Sequence, residues 1–451
     1  VSIAWSANTR STAARSQTSP WTNVWRSGSG RSRRVLAAAG VGQGVERHHR
    51  DLGPRRQQVA DEVRADEPGA AGDEDAQHGS AIHHGPRLGS SARPVYRAPV
   101  PSRATTALAI ALAIAVGLAA RLHAWTGLIA SDDLTHAWAA THLWSQPIEP
   151  DMPGSVYTVN ARRVGVNLPL AAAAAVTGGS ETGFAVATLL ESLAAIAALA
   201  LWAGALAGRR AAVIAAWLAA LSPIDAWMAT VWLQDALWTL GLALAMAAAA
   251  WGARTGARRW WLVAGFVFGY LQYVKESAAI LLVVLIGLGA WRSWRARALD
   301  RGAIALVLGA ALAHGLAALY WWIAMDDPTY YVRAWLERQT SLEAAPAARP
   351  FPHNLVRLGL YVGYHGALGL GLPIAGYFAV RWLRRGDAPA RVRVDVAAIA
   401  IVQVLLLVHV LRWGAWTQRY LMQVTPLLIA VGAAGLAAAW PSARARTRDL
   451  R

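Results

Sequence analysis

Apolar stretches of about 18 or more residues, rich in Ala, Leu, Val and Trp, recur from Ala104 to Trp440, and each is long enough to cross a hydrocarbon core about 30 Å thick. No other feature restricts this chain so strongly. With 55% hydrophobic residues and no run of polar strands, the expected fold is all-α: a polytopic transmembrane helical bundle of about ten spans. The periodicity places these spans near 104–125, 183–206, 211–223, 232–251, 260–272, 277–291, 302–325, 354–380, 394–411 and 420–440.

The formal charge of +17 invites a nucleic-acid reading, but Lys275 is the one lysine among 43 basic residues, and many of the arginines sit in short connections between spans. There they set topology, so nucleic acid is not an expected partner. The chain holds no cysteine, which excludes disulfides and thiolate chemistry.

Residues 1–103 differ from the rest. Clusters such as Arg31-Ser32-Arg33-Arg34 and Asp73-Glu74-Asp75 show no helical or strand period. Such a segment buries too little apolar surface to offset its ordering entropy. It reads either as a disordered cytoplasmic extension or as a spurious one preceding the true start. In-frame Val95 and Val100 just before the first span favour the second reading. Residues 104–440 then form the membrane domain and 441–451 a basic cytoplasmic tail.

Alternate connections collect the arginines: Arg209 and Arg210; Arg254, Arg258 and Arg259; Arg292, Arg295, Arg297 and Arg301; Arg381, Arg384, Arg385, Arg391 and Arg393; then Arg444, Arg446 and Arg448. By the positive-inside rule these face the cytoplasm, with both termini inside. The remaining connections then lie outside a multi-pass protein of the cell membrane. In the first of them Leu134, Trp138, Thr141 and Trp144 recur at helical spacing, which predicts a short interfacial helix. The run from Asn167 to Val176 is too short to cross and reads as interfacial or re-entrant.

The unusual polar residues collect on that outer side. Ser131-Asp132-Asp133-Leu134-Thr135-His136 follows the first span, with Glu149, Asp151, Arg162 and Arg163 further along the same connection. Ser131 suits an N-cap, and aspartates in a first helical turn are favoured by the helix dipole. At spacings of three and four, His136 shares a face with both aspartates. A carboxylate here can serve as general base or, with its neighbour, hold a divalent cation. Ser222-Pro223-Ile224-Asp225 and Gln234-Asp235 mark the second outer connection. Lys275 marks the third; its compact ammonium can hold a phosphate, the plain alternative being a local pair with Glu276. Thr417-Gln418-Arg419-Tyr420-Leu421, with Pro426 beyond, marks the last. There an arginine leads into a span from the outer side, as an anionic partner such as a lipid phosphate, or a carboxylate of the protein itself, would require.

In this layout the chain resembles the GT-C class of polytopic, lipid-phosphate-sugar-dependent glycosyltransferases, most closely the branch of the protein O-mannosyltransferases and the lipid A aminoarabinose transferase. The resemblance rests on the acidic pair Asp132-Asp133 with His136, on Ser222-Pro223 followed by Asp235, on Lys275, and on Arg419-Tyr420-Leu421 before Pro426. It departs from the family in carrying Asp133 for Glu, His136 for an aromatic, and Asn167-Leu168-Pro169 where a lysine often precedes a proline; Arg162 or Arg163 can substitute.

The resemblance implies that Asp132 or Asp133 is the base, that Lys275 and Arg419 bind the donor phosphate, and that His136, Arg162, Arg163, Asp235 and Tyr420 line the substrate site. It implies a polyprenyl-phosphate-sugar donor, a lipid, glycan or protein acceptor, membrane lipids as surroundings, and no required cofactor; any cation would sit on Asp132 and Asp133. The contrasting expectation is a transporter or lipid flippase, for which Glu191, His314 and His409 would be groups inside spans. A further contrast is a relative that keeps the fold without the chemistry.

Overall fold

The computed structural model describes residues 101–128, 131–143, 162–343, 351–364, 366–385, 389–412 and 418–449. Among them there is no strand, as the all-α expectation requires. Helices satisfy their own backbone groups, the condition for crossing hydrocarbon. In chain order they are α1 (Arg103–His123), α2 (Ser131–Thr141), α3 (Val164–Thr177), α4 (Glu181–Ala207), α5 (Arg209–Ala220), α6 (Pro223–Met228), α7 (Gln234–Thr255) and α8 (Arg258–Leu271). Then follow α9 (Ser277–Ala296), α10 (Arg301–Met325), α11 (Tyr330–Glu343), α12 (Phe351–Gly359), α13 (Gly371–Arg385), α14 (Ala390–Arg412) and α15 (Thr425–Asp449).

Six of these, α1, α4, α7, α9, α10 and α14, are long and apolar enough to cross a bilayer, so the chain is a multi-pass membrane protein. The structure revises several boundaries. The stretches expected at 211–223 and 260–272 form α5 and α8, of 12 and 14 residues, each about 18–21 Å long at 1.5 Å per residue. The stretch expected as one span at 354–380 is α12, a π-helical turn at Leu360–Tyr364, and α13. A 3-10 turn, Gln418–Gln423, precedes α15. Ser131 is the first helical residue of α2 rather than a cap outside it.

Small residues let the helices approach. Helices α8 and α10 form one of the most extensive pairs, and they meet through Gly265 and Gly309. A Cβ on Gly265 would overlap the Leu306 carbonyl, and one on Gly309 would overlap that of Leu262. Such contacts drive packing where lipid removes the hydrophobic force between helices.

Two polar devices hold the end of the bundle at which α1 stops. Arg121, buried in the last turn of α1, donates from Nε to Ser192 Oγ (2.8 Å) and from its two Nη atoms to the carbonyls of Gly117, Ala219 and Ala220. It thereby adds a side-chain donor to the carbonyls at the end of α5, where the helix's own ladder stops. Beyond it, Thr230 Oγ1 accepts from the backbone N–H of Thr126, and the Thr126 hydroxyl donates to the Trp227 carbonyl. The second device is in α3, where Pro169 has no N–H for the carbonyl four residues back. That carbonyl belongs to Gly165, and the Tyr270 hydroxyl donates to it at 2.5 Å. The Gly165 N–H in turn donates to the Tyr273 carbonyl at 3.1 Å, a closeness at which a Cβ would collide with the Tyr273 backbone.

The variants Gly265→Ala and Gly309→Ala are each expected to lower stability by about 1–3 kcal/mol through overpacking against backbone. Thermal unfolding in detergent measures this, and unchanged midpoints would show that the two helices do not meet there.

Candidate functional site

Four chain segments converge at the α1 end. They are the first turn of α2, the first turn of α7, the corner between α8 and α9, and the 3-10 turn before α15. Each brings charge. Arg419 Nη2 donates to Asp132 Oδ2 at 3.1 Å, joining residues 287 positions apart. Lys275 Nζ donates to Asp235 Oδ1 at 3.2 Å, with both side chains buried. The pairs adjoin, because Arg419 also lies in the field of Asp235. Burial alone would lower the Arg419 pKa, but Asp235, Tyr420 and Asp132 hold it above the ordinary value, so the guanidinium stays charged.

Aromatic faces complete the cation sites. Lys275 Nζ lies 5.5 Å from the Tyr420 ring centre and 5.8 Å from that of Trp238, and Arg419 lies 5.8 Å from Tyr420. Trp238 escaped the sequence reading, although its spacing of three from Asp235 puts both on one face of α7. A buried ion pair adds little net stability because desolvation opposes the attraction. Of the two pairs here, Lys275–Asp235 is buried and Arg419–Asp132 is half-buried.

The sequence expectation for Lys275 is corrected in one respect. Its alternative partner, Glu276, pairs with Arg163, at 3.1 Å to Nε and 2.9 Å to Nη2. Consecutive residues thus reach in different directions: Lys275 to Asp235, Glu276 to α3. Arg163 is buried; burial would lower its pKa, but Glu276 more than offsets this. Its charge reaches Arg419. Of the two arginines offered as substitutes for the family's lysine, Arg163 is therefore the one beside the charged cluster. Arg162 instead lies over the Tyr330 ring, 5.1 Å from its centre.

Asp133 and His136 are both enclosed, at 0% exposure, while the Asp132 side chain keeps 22%. His136 Nδ1 donates to Asn167 Oδ1 at 2.8 Å. This assigns the tautomer by the network and leaves Nε2 as an acceptor without a partner among the described residues. Burial is the main reason its pKa falls to about 4; Arg163 and Arg419 add to the fall, against Asn167 and Asp132. Asn167 was noted in the sequence only for replacing a lysine, and its role as the His136 partner had no local signal. Arg121 was likewise missed; its electrostatic partner Asp225 was noted in the second outer connection, but not this pairing. Trp144, Glu149, Asp151 and Thr417 lie outside the described residues.

Asp132 and Asp133, the pair that would hold a cation, are differently engaged: Asp132 is half-open and Asp133 is enclosed. Arg419 already occupies Asp132, and among the described residues no three acidic or histidine side chains converge.

Residues 165–321 match the family model described as dolichyl-phosphate-mannose-protein mannosyltransferase. The resemblance to the GT-C class holds. The matched segment carries Ser222-Pro223, Asp235 and Lys275, while Asp132 and Arg419 reach it only through the folded structure. Solved structures of an oligosaccharyltransferase from Archaeoglobus fulgidus are also similar. One is tethered to an acceptor peptide (13% identity, TM-score 0.48, covering 75% of this chain and 50% of that one). Another is in complex with Zn and sulfate (13%, TM-score 0.49, 75% and 50%). A third is in complex with an inhibitory peptide and a dolichol-phosphate (12%, TM-score 0.46, 74% and 50%). The chain spans about half the length of these structures. A search of curated proteins gave no match.

The burial of neutral His136 couples folding to pH. Its folded pKa of about 4 lies below the ordinary 6.5, so the stability gained by burying the neutral ring is complete above pH 6.5 and is lost as the pH falls towards 4. Unfolding midpoints measured across this window should drop in the wild type and drop less in His136→Gln. Parallel profiles would place the titration elsewhere.

Proposed function

We propose that this chain is a membrane glycosyltransferase that moves a sugar from a polyprenyl-phosphate donor to an acceptor at the non-cytoplasmic face of the cell membrane. The observation that carries the reading is the joining of Asp132 to Arg419 beside Lys275 and Asp235 at one end of the bundle. The family match over 165–321 supports it. Arg292, Arg391 and Asp300 pair at the opposite end, and the arginine-rich side is taken as cytoplasmic, with both termini inside, by the positive-inside rule.

Lys275 and Arg419, with Arg163 close by, hold the donor phosphate and stabilise the charge that grows on it as the bond to the anomeric carbon breaks. Asp132 takes the proton of the acceptor nucleophile, which attacks that carbon in line. The products are the glycosylated acceptor and polyprenyl phosphate, and a single displacement gives inversion. Of the two aspartates, Asp132 suits the base because part of its carboxylate is open, whereas Asp133 is enclosed. Arg419 releases Asp132 when it takes up the phosphate, so donor binding frees the base. No step requires a metal.

Reconstituted protein offered a panel of polyprenyl-phosphate sugars should release polyprenyl phosphate with one or more of them. Asp132→Asn should slow release by about 10²–10⁴-fold, the usual worth of general base catalysis. Full transfer by both Asp132→Asn and Asp133→Asn would remove the acidic pair from the mechanism.

A further inference from the structure

Apart from the charged cluster, a cavity of about 450 Å³ opens between α9, α10 and α11. That volume lies within the roughly 300–1,000 Å³ range of small-molecule sites. Its walls carry the rings of Tyr273, Trp321, Tyr331 and Trp335, with His314 and Glu276 as polar members. Tyr273 and Tyr331 lie 4.8 Å apart, and the Tyr273 hydroxyl is hydrogen-bonded to His314 Nδ1 at 2.8 Å. Trp321 is 1% exposed, and its indole N–H has no hydrogen-bond partner among the described residues. His314, a candidate transporter group in the sequence, thus belongs to the wall of this cleft.

The position of the cleft relative to the charged cluster is set by one peptide unit. Lys275 reaches to Asp235 and Tyr420, while Glu276, whose Cα is about 3.8 Å further along, lines the cleft. A ligand in the cleft therefore shares the α8 to α9 corner with the charged cluster, on the side to which Glu276 belongs. The cleft cannot be a second phosphate site, because the charge it presents is a carboxylate, already matched by Arg163. What its chemistry recognises is an uncharged, hydroxyl-bearing body with apolar faces. Flat aromatic walls stack against the C–H faces of a pyranose. The His314 imidazole and the Glu276 carboxylate offer donors and acceptors to its hydroxyls.

We infer that the cleft lined by Tyr273, Trp321, Tyr331 and Trp335 binds a saccharide, and that the acceptor of this enzyme is itself a carbohydrate. The inference rests on the glycosyl-transfer reading for the word acceptor, but the binding it asserts is measurable without turnover. Trp335 is the ring to change, since it is 39% exposed and its loss spares the core.

The full chain in nanodiscs would be dialysed to equilibrium against labelled methyl hexosides and dihexosides, a Ser/Thr-containing peptide, and polyprenyl phosphate. Saccharide is expected to bind the wild type, to bind Trp335→Ala about tenfold more weakly, and to bind Trp335→Phe nearly as well as wild type. Polyprenyl phosphate should bind all three equally. Absence of saccharide binding to the wild type would overturn the inference. So would peptide binding that is lost in Trp335→Ala, or polyprenyl phosphate binding lost in that variant, which would make the cleft the seat of an isoprenoid chain. Saccharide binding without sugar transfer from any donor would fault the transfer reading and leave the cleft assignment standing.

Discussion

The ion pair between Asp132 and Arg419 closes the structure on itself. It joins the first turn of α2, just after the first membrane-crossing helix, to the turn before the last helix, 287 residues later. Beside it, the buried pair of Lys275 and Asp235 ties the α8 to α9 corner to α7. Opposite charges taken out of water are tolerable only when paired, and removing one partner from a buried pair typically costs about 3–5 kcal/mol. Each of these helix ends must therefore arrive in register with the others. The site is in this sense both a candidate catalytic centre and a lock on the helix ends.

Contacts outside these two pairs set the frame that allows this. The guanidinium of Arg121 reaches the end of α5 and the flank of α4 together, so the end of α1 cannot shift without exposing carbonyls. The threonine contacts beyond it pin the connection that leads to Asp132. On the other side, the Tyr270 hydroxyl fills the vacancy made by Pro169, and Gly165 lets α3 touch the Tyr273 backbone. That contact brings Arg163 to Glu276 and Asn167 to His136. The gap in the α3 hydrogen-bond ladder becomes a means of joining two helices.

The class of fold was legible from the length of the apolar runs, and the gathering of Asp132, Asp235, Lys275 and Arg419 at one end from the alternation of arginine-rich connections. Asp132, Asp235, Lys275 and Arg419 stood out because a charge at the end of a membrane helix needs a reason. Their partners did not. Nothing near Lys275 in the chain says that it turns to Asp235 rather than to the adjacent Glu276, since that choice is made by the packing of α7 against α8. The roles of Asn167 and Arg121 were hidden for the same reason: each acts through contacts between distant segments. Span boundaries failed where a run of apolar residues concealed a break, as at Leu360–Tyr364, because hydropathy does not register a change of helical pitch.

The direct coupling of Asp132 to Arg419, across 287 positions, is the contact on which the site most depends. A double-mutant cycle with Asp132→Asn, Arg419→Gln and the combined variant, followed by thermal unfolding in nanodiscs, isolates that interaction. The account predicts a coupling of about 1–3 kcal/mol, with the combined variant less destabilised than the sum of the single ones. Strict additivity would mean that the two residues do not meet, and would separate the acidic pair from the cations proposed to hold phosphate.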